Sequence, residues 1–381
     1  MNLDWTPEQE AFRAEARAWL RANVPQGLPS GDTREGFAAH VKWEKQLFAA
    51  GWSAVAWPAA FGGRGASLFE WLIFEEEYWK AGGPIRVTQN GIFLLAPAIF
   101  EFGTEEQKAR LLRPMAAADY LWAQGWSEPE SGSDLASVRA TATRVDGGWR
   151  VYGQKTWTTR GAFCDGTYGL FRTEPGSVRH KGLSYMLVDL HQPGVTVRPV
   201  ERLDGDESFA EVFLDGAFVP DRDVLGPVGD GWRIAMSTTS SERGLSLRSP
   251  GRFQEAAARL IALYRQRPDP ALREAVARCW IDAEAYNLFT LGTVSRMSLG
   301  HEIGADSSLN KIFWSEMDIR ITETALQLLG PSAELMPGSP AAFDDGRWLT
   351  DFLFALAGPI YAGTNEIQRN IVASRVLDLP R

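Results

Sequence analysis

The spacing of apolar and polar residues changes twice along the chain. Residues 1–120 repeat apolar positions with a helical period, residues 121–229 alternate with the period of two typical of strands, and residues 230–381 return to the helical period. The α–β–α order lacks the alternating units of a Rossmann fold. The pattern therefore predicts an α+β multidomain protein, with an N-terminal helical domain, a middle β-barrel or β-sandwich domain and a C-terminal helical bundle at these boundaries.

Local start and stop signals support this division. Thr6 and Thr104 are each followed three residues later by a glutamine, which is the pattern of a helix capping box. Asp146-Gly147-Gly148 separates two segments of alternating residues and predicts a hairpin. Ser249-Pro250-Gly251 falls inside a long helical pattern, so we expect that helix to be interrupted there.

Charge and composition then narrow the chemistry. The chain has 381 residues, with 39 Lys and Arg against 48 Asp and Glu, a net charge of −9 that disfavours nucleic acid as the main partner. Its two cysteines, Cys164 and Cys279, form no C-x-x-C, and its four histidines lack ligand spacing. We therefore expect neither a metal site nor a disulfide framework.

Targeting and membrane signals are not expected either. The first twenty residues carry acidic side chains and no apolar core of the kind that a signal peptide has. The most apolar stretches, Gly91–Phe102 and Phe352–Tyr361, are far shorter than the roughly 20 residues that a membrane span needs. These features predict a cytoplasmic protein without a membrane span.

Three polar, glycine-containing segments carry the candidate chemistry. The first is Gly125–Asp134, with the sequence GWSEPESGSD, and the second is Gly153–Thr159, with the sequence GQKTWTT. The third is Ile360–Arg369, with the sequence IYAGTNEIQR. The sequence shows no nucleophile elbow, P-loop or comparable nucleophile motif.

Together the three segments resemble the acyl-CoA dehydrogenase family, whose members carry E-P-x-x-G-S-D, N-G-x-K-x-W-I-T and I-Y-x-G-T-x-E-I-Q-R in this order. The resemblance implies that the C-terminal domain is a four-helix bundle, that FAD binds between it and the β domain, and that the subunits form a homotetramer. It also implies an acyl-CoA substrate, an electron-transfer flavoprotein as acceptor and a place in lipid metabolism.

The resemblance also assigns residues. Ser127 and Thr159 would hydrogen-bond the flavin, and Trp157 would pack against its ring. Taken alone, Ser127 and Thr159 are equally compatible with strand-end turns, and Trp157 alone favours a buried core position. The full set of implied cofactor contacts is Trp126, Ser127, Gly132, Ser133, Trp157, Thr159, Gln327, Gly330, Thr364 and Glu366. The implied substrate contacts are Ser133, Arg243, Tyr361 and Gly363.

The position of the catalytic base departs from the common family pattern. Many members place a glutamate directly after the tyrosine of the third segment, where this chain has Ala362. Other members use a glutamate in an E-R pair on the first long helix of the bundle, and this chain has Glu242-Arg243 there. We therefore expect Glu242 to remove the substrate α-proton. The alternative is that Glu242 is an exposed helix residue in a chain that has lost its activity.

The resulting hypothesis is FAD-dependent α,β-desaturation of an acyl-CoA thioester. One alternative is another flavin activity on the same fold, such as an oxidase or monooxygenase. A second alternative is that the chain is one subunit of a heterotetramer whose partner completes the site. In this family an R-x-x-F-G-x-P segment reaches FAD across a subunit boundary, and it is not recognisable in Tyr264–Leu272. The sequence is therefore compatible with a homo-oligomer, either a dimer or a tetramer, and with a heterotetramer.

Overall fold

The computed structural model describes residues 4–243, 249–301 and 304–380, with the side chains of residues 239–243 and 306 outside that description. Its helices are α1 (Pro7–Asn23), α2 (Arg34–Ala49), α3 (Leu68–Lys80), α4 (Ala96–Phe102), α5 (Glu105–Ala116), α6 (Gly231–Arg243), α7 (Pro250–Gln266), α8 (Arg273–Ser298), α9 (Asp306–Leu329), α10 (Arg347–Ala355) and α11 (Asn365–Arg375). Its strands are β1 (Trp122–Gln124), β2 (Thr141–Val145), β3 (Gly148–Lys155), β4 (Gly166–Arg172), β5 (Leu183–Asp189), β6 (Val195–Val200), β7 (Phe209–Pro220) and β8 (Val224–Leu225).

Contacts divide the chain into two compact units. The first combines Met1–Val24, Ser67–Gly83 and Arg243–Arg381, and the second combines Pro25–Ala66 with Pro84–Glu242. The first unit is therefore assembled from segments far apart in sequence. This division by contacts does not test the three domain boundaries predicted from the sequence, which remain a prediction.

The first unit begins with two capped helices that are joined by ion pairs to a buried glutamate. Thr6 and Ser67 each form a capping box at the start of α1 and α3. Arg13 and Arg17 of α1 donate to the carboxylate of Glu77 on α3 at 2.8–2.9 Å. Burial opposes ionisation of Glu77, but the hydrogen bonds from the two arginines outweigh it and lower its pKa. The charges therefore hold the two helices in one register.

A close helix crossing connects α3 to α7. A Cβ built on Gly251 would lie 2.8 Å from the Glu76 Cα and 2.9 Å from the Glu75 carbonyl oxygen, which only a glycine avoids. Further along α7, Phe253 packs edge-to-face on Tyr286 of α8 and near Trp314 of α9. These helices enclose the apolar core of the first unit.

The second unit is built around one mixed sheet. Its described strands follow the order β6-β7-β3-β2-β4-β5-β8, with β1 pairing parallel to β4. The hairpin of β2 and β3 turns at Asp146-Gly147, where Gly147 has φ 71°. Apolar residues of β3, β4, β5 and β7 alternate inward and form the core of this unit.

Helix α6 is attached to the same sheet at strand β5. The Gly229 N–H donates to the Ser184 hydroxyl (2.9 Å), and a Cβ on Gly231 would lie 2.6 Å from the Ser184 carbonyl carbon. Two turns further along α6, the Tyr185 and Thr238 hydroxyls are 3.5 Å apart in a buried contact. The sheet thus sets the direction in which α6 runs toward residue 242.

Most predicted elements are present. The capping boxes at Thr6 and Thr104, the hairpin and the interruption before α7 are confirmed. Helix α10 and the short strands β1 and β8 were not predicted. Across the described residues, no helix is both long and apolar enough to cross a bilayer. The same residues contain no group of three His, Cys, Asp or Glu side chains suited to a metal ion.

Candidate active site

The first motif forms a tight loop after β1. Glu128 and Ser131 pair through both backbone groups at 2.9 and 3.0 Å, and the Ser131 hydroxyl donates to the Asp134 carbonyl at 2.7 Å. Ser127 is half-buried, whereas Gly132 and Ser133 are exposed. The Ser131 hydroxyl therefore stabilises the loop itself, whereas Gly132 and Ser133 are exposed to solvent.

The second motif covers the last residues of β3 and the turn that follows it. Trp157 has a left-handed backbone with φ 55°, which is uncommon for a residue other than glycine, and its side chain is 61% exposed. The indole contacts Phe209 edge-to-face at 5.7 Å. A buried core position, the interpretation favoured for this tryptophan alone, is therefore wrong. A large exposed aromatic ring on a strained backbone is a feature of ligand-binding sites.

A buried ion pair and a backbone bond join the two motifs. The Thr156 N–H donates to the Ser127 carbonyl at 2.9 Å. Directly beside this bond, the Lys155 ammonium donates to Glu128 Oε1 at 2.8 Å and to the Leu170 carbonyl at 3.0 Å. Lys155 is fully buried, and this burial lowers its pKa while Glu128 opposes the change. No local pattern in the sequence pairs these two residues, although both belong to the motifs.

Trp126 directly precedes Ser127 and packs against strand β5. It is buried, packs edge-to-face on Tyr185 at 6.3 Å, and its indole N–H has no acceptor among the described residues. Thr159 is half-buried, and its carbonyl accepts from the Asn90 amide at 3.4 Å. Ser127, Trp126, Trp157 and Thr159 are thus held by one unit.

The proposed base lies at the end of helix α6. The backbone is helical through Arg243, so Glu242 follows Thr238 by one helical turn. The side chains of Glu242 and Arg243 lie outside the described residues. In the other unit, Ala362 offers no carboxylate at the position where many family members have a glutamate.

The third motif forms the entrance to α11 in the first unit. Ala362 and Gly363 have consecutive left-handed backbones, with φ 57° and 79°. The Gln368 amide donates to both of their carbonyls, at 3.0 and 3.3 Å, and Thr364 caps the helix through the Ile367 N–H. This closed turn leaves Glu366 exposed at the start of the helix.

A buried lysine anchors this turn from below. The Lys311 ammonium of α9 donates to Asn365 Oδ1 at 2.7 Å, and Ser315 and Glu316 complete the contacts of that amide. Tyr361 is half-buried against Trp314, at 5.8 Å between ring centroids. Gln327 and Gly330 lie exposed at the C-terminal end of α9, where Gly330 has φ 56°.

The structure therefore collects the predicted residues into two groups. The second unit holds Trp126, Ser127, Gly132, Ser133, Trp157 and Thr159, whereas the first unit holds Gln327, Gly330, Tyr361, Gly363, Thr364 and Glu366. Within each group the residues come from segments distant in sequence. Each group presents exposed polar or aromatic side chains on a fixed backbone.

Comparison with known proteins covers nearly the whole chain. The family described as acyl-CoA dehydrogenase, N-terminal domain, matches residues 6–119, the middle domain matches 123–216 and the C-terminal domain matches 229–377. Acyl-CoA dehydrogenase IpdE1 of Mycobacterium tuberculosis is 39% identical over 383 residues, which cover 98% of each chain. The protein of the same name from Mycolicibacterium smegmatis is 38% identical over 395 residues, again with 98% of each chain covered.

Solved structures agree with these matches. The Tcur3481-Tcur3483 steroid ACAD has a TM-score of 0.90 and 27% identity, with all of both chains covered. The ChsE4-ChsE5 complex from Mycobacterium tuberculosis has a TM-score of 0.85 and 29% identity at the same coverage. The predicted fold class is confirmed, and the chain belongs to the acyl-CoA dehydrogenase family, as an oxidoreductase of that enzyme class.

Proposed function

We propose that the protein is an FAD-dependent acyl-CoA dehydrogenase that introduces an α,β double bond into an acyl-CoA thioester. The observation that carries the proposal is the exposed Trp157 indole on its left-handed backbone, next to the bond from the Thr156 N–H to the Ser127 carbonyl. FAD, when bound, supplies the acceptor for the β-hydride at its N5 atom. The chain supplies binding, orientation and the removal of the α-proton.

The residues present fit a flavin. Trp157 offers a flat apolar wall, and the unpaired Trp126 N–H offers a buried donor. A Cβ built on Gly132 meets nothing within 4 Å, so the chain itself does not require glycine there and the space around it suits a close-lying ligand. Ser127 and Thr159 would donate to the ring, and Ser133 would contact the flavin beside the thioester.

Residues at the ends of two helices, α9 and α11, are proposed to bind the adenosine half of FAD. Thr364 and Glu366 lie at the start of α11, and Gln327 and Gly330 lie at the end of α9. Exposed glutamate and glutamine side chains supply the acceptors and donors that a ribose and an adenine require. Arg243, Tyr361 and Gly363 are proposed to position the acyl-CoA.

Glu242 is proposed to remove the α-proton. Ala362 has no group that takes up a proton, so the carboxylate must come from elsewhere, and α6 carries Glu242 one turn beyond the buried Thr238 contact. Arg243 would balance charge near the CoA portion. A carboxylate acting as general base in the family chemistry needs partial desolvation to raise its basicity.

The test is anaerobic titration of the purified protein with acyl-CoAs. We expect a yellow protein whose visible flavin absorption is bleached by at least one acyl-CoA. Glu242→Gln should still bind FAD and acyl-CoA, but the rate of bleaching should fall by about 100- to 10,000-fold. A wild type that holds FAD but is bleached by none of the thioesters contradicts the proposal.

Glu255 on α7 provides the matched control for the base. Burial raises the pKa of its carboxyl, although Arg259 lies 3.3 Å away and opposes the change. Glu255→Gln should bleach at the wild-type rate. If bleaching stops in Glu255→Gln and continues in Glu242→Gln, the base has been assigned to the wrong glutamate.

The acyl group is proposed to carry a ring system. The support is the likeness to a structure named as a steroid ACAD, at a TM-score of 0.90 over all of both chains. Ring-bearing steroid acyl-CoAs should bleach the flavin faster than linear acyl-CoAs of equal carbon number. Faster bleaching by the linear series would reject the ring and retain the desaturation.

Electron-transfer flavoprotein is proposed as the electron acceptor. After bleaching by acyl-CoA, the colour should return rapidly with that flavoprotein and slowly with oxygen. Rapid return with oxygen alone would favour an oxidase on the same fold. The same stopped-flow experiment therefore separates the two activities.

The protein is also proposed to work as an assembly, either of its own copies or with a homologous partner. On the outward half of α8, four large apolar side chains are 42–57% exposed: Trp280, Ile281, Leu288 and Phe289. An exposed apolar face of this size is typical of a subunit contact. Two similar structures bear names that pair two different proteins, which supports the heteromeric arrangement.

A further inference from the structure

The ion pair between Glu128 and Lys155 is more completely bonded than an ordinary surface salt bridge. The Glu128 carboxylate accepts the Lys155 ammonium at 2.8 Å and the backbone N–H groups of Arg139 and Ala140 at 2.5 and 3.0 Å. The same ammonium donates to the Leu170 carbonyl and lies 5.0 Å from the Phe171 ring. Both side chains are buried, so the pair ties together the first motif loop, the segment before β2, and strands β3 and β4.

A pair of this kind is costly if its only purpose is stability. Removing two charges from water is not fully repaid by their attraction, and apolar residues of similar volume often serve as well. What charged, directional bonds add is a fixed geometry. Here the two paired residues are sequence neighbours of the candidate flavin contacts. Glu128 directly follows Ser127, and Lys155 lies two residues before Trp157.

We propose that Glu128 and Lys155 are positioning residues, which set the separation of the two flavin-binding segments so that Ser127 and Thr159 reach one bound ring together. This inference rests on the proposed function. The adjacent bond from the Thr156 N–H to the Ser127 carbonyl fixes the same separation at the level of the backbone. The ion pair keeps the left-handed turn at Trp157 in place from inside the sheet.

A second buried ion pair in the same unit provides the matched control. Arg86 donates to both Glu44 oxygens at 2.8–2.9 Å and to the Ser53 carbonyl at 2.8 Å, and both side chains are buried. It belongs to neither motif. Lys155→Met and Arg86→Met therefore remove equivalent charges and should lower the stability of the apoprotein to a similar extent.

The experiment measures FAD binding to apoprotein of each variant, together with thermal unfolding of the apoprotein. Lys155→Met should raise the FAD dissociation constant at least about tenfold, because a displaced supporting residue misplaces the groups that contact the ligand. Arg86→Met should leave that constant near the wild-type value. Parallel losses of stability and affinity in the two variants would overturn the positioning role.

Conservative variants cover the case in which Lys155→Met does not fold. Lys155→Arg keeps the charge but changes its reach, so the FAD-loaded protein should fold and show shifted visible flavin bands. Arg86→Lys should leave those bands unchanged, and unshifted bands in Lys155→Arg would also overturn the role. If wild-type protein binds no FAD at all, the proposed function and this inference fail together, which distinguishes that outcome from failure of the inference alone.

Discussion

Two residues of the candidate site, Trp157 and Ala362, hold left-handed backbone conformations that their side chains disfavour. Such a conformation costs about 1–2 kcal/mol for a residue with a Cβ, and it persists only where the surroundings enforce it. At Ala362 the enforcing contacts are the two hydrogen bonds from Gln368. The second and third motifs thus each hold one strained residue.

Ala362→Gly should stabilise the protein. Glycine adopts φ near 57° without steric cost, so we expect a gain of about 1 kcal/mol or less in the free energy of unfolding. Ala14→Gly, at an exposed position within α1, should instead cost about 1 kcal/mol. Urea unfolding of both variants measures the two signs, and a loss in both would contradict the left-handed turn.

Cys164 should make the protein sensitive to alkali. Burial raises the pKa of its thiol from 9.0 to about 12. Because the folded-state pKa lies above the unfolded one, the thiol's contribution is fully present below pH 9 and is lost as the pH rises toward 12.

The measurement compares wild type with Cys164→Ala. The difference between their free energies of unfolding should shrink by up to about 1.4 kcal/mol for each pH unit above 9. Groups shared by the two proteins, such as Tyr120, cancel in this difference. A difference that stays constant from about pH 8 to pH 10 would show that the thiol is accessible to water.

The sequence signals that predict helices and strands are local. Thr6 and Thr104 predict the start of their helices because their side chains cap them, and Asp146-Gly147 predicts the turn of its hairpin. Helix α10 has no such signal, because its N-cap is Gly346 with φ 69° and no side-chain hydrogen bond. Strands β1 and β8 have three and two residues, and they exist only through pairing with β4 and β5.

The same distinction applies to the site. The motif letters predicted which residues to examine, but a lone tryptophan in a strand region gives no sign that it is exposed on a left-handed backbone. A lysine is ordinarily expected in solvent, whereas Lys155 is fully buried. Its burial depends on Glu128, 27 residues earlier, which no local pattern reveals.

The crossing of α3 and α7 should be intolerant of a single methyl group. In Gly251→Ala the new Cβ meets backbone atoms of Glu75 and Glu76 below 3.0 Å, so the helices must separate at a cost of about 1–3 kcal/mol. Gly292→Ala on α8 meets nothing within 4 Å and should stabilise its helix by up to about 1 kcal/mol. Thermal unfolding compares the two, and equal effects would argue against the close crossing.

At the scale of the whole molecule, the exposed face of α8 should control assembly. Ile281→Lys combined with Leu288→Lys places two charges seven residues apart on one side of the helix, where desolvation on association is unfavourable. We expect the mass measured by light scattering to fall to that of a smaller species. The control Glu274→Lys changes an exposed polar position on α8 and should leave the mass unchanged. An unchanged mass in the double variant would show that this face is not an interface.

The first unit has a consequence for synthesis on the ribosome, because its helices come from separated segments. Helices α1 and α3 can pair early, but α7 begins 170 residues after α3 ends (250 − 80). At a synthesis rate of about 5–20 residues per second, the α3 surface around Glu75 and Glu76 is uncovered for roughly 8–35 s before α7 is made. A nascent chain stopped before Pro250 would keep that surface of α3 uncovered, so it should become a chaperone client or an aggregate instead of a partly active enzyme.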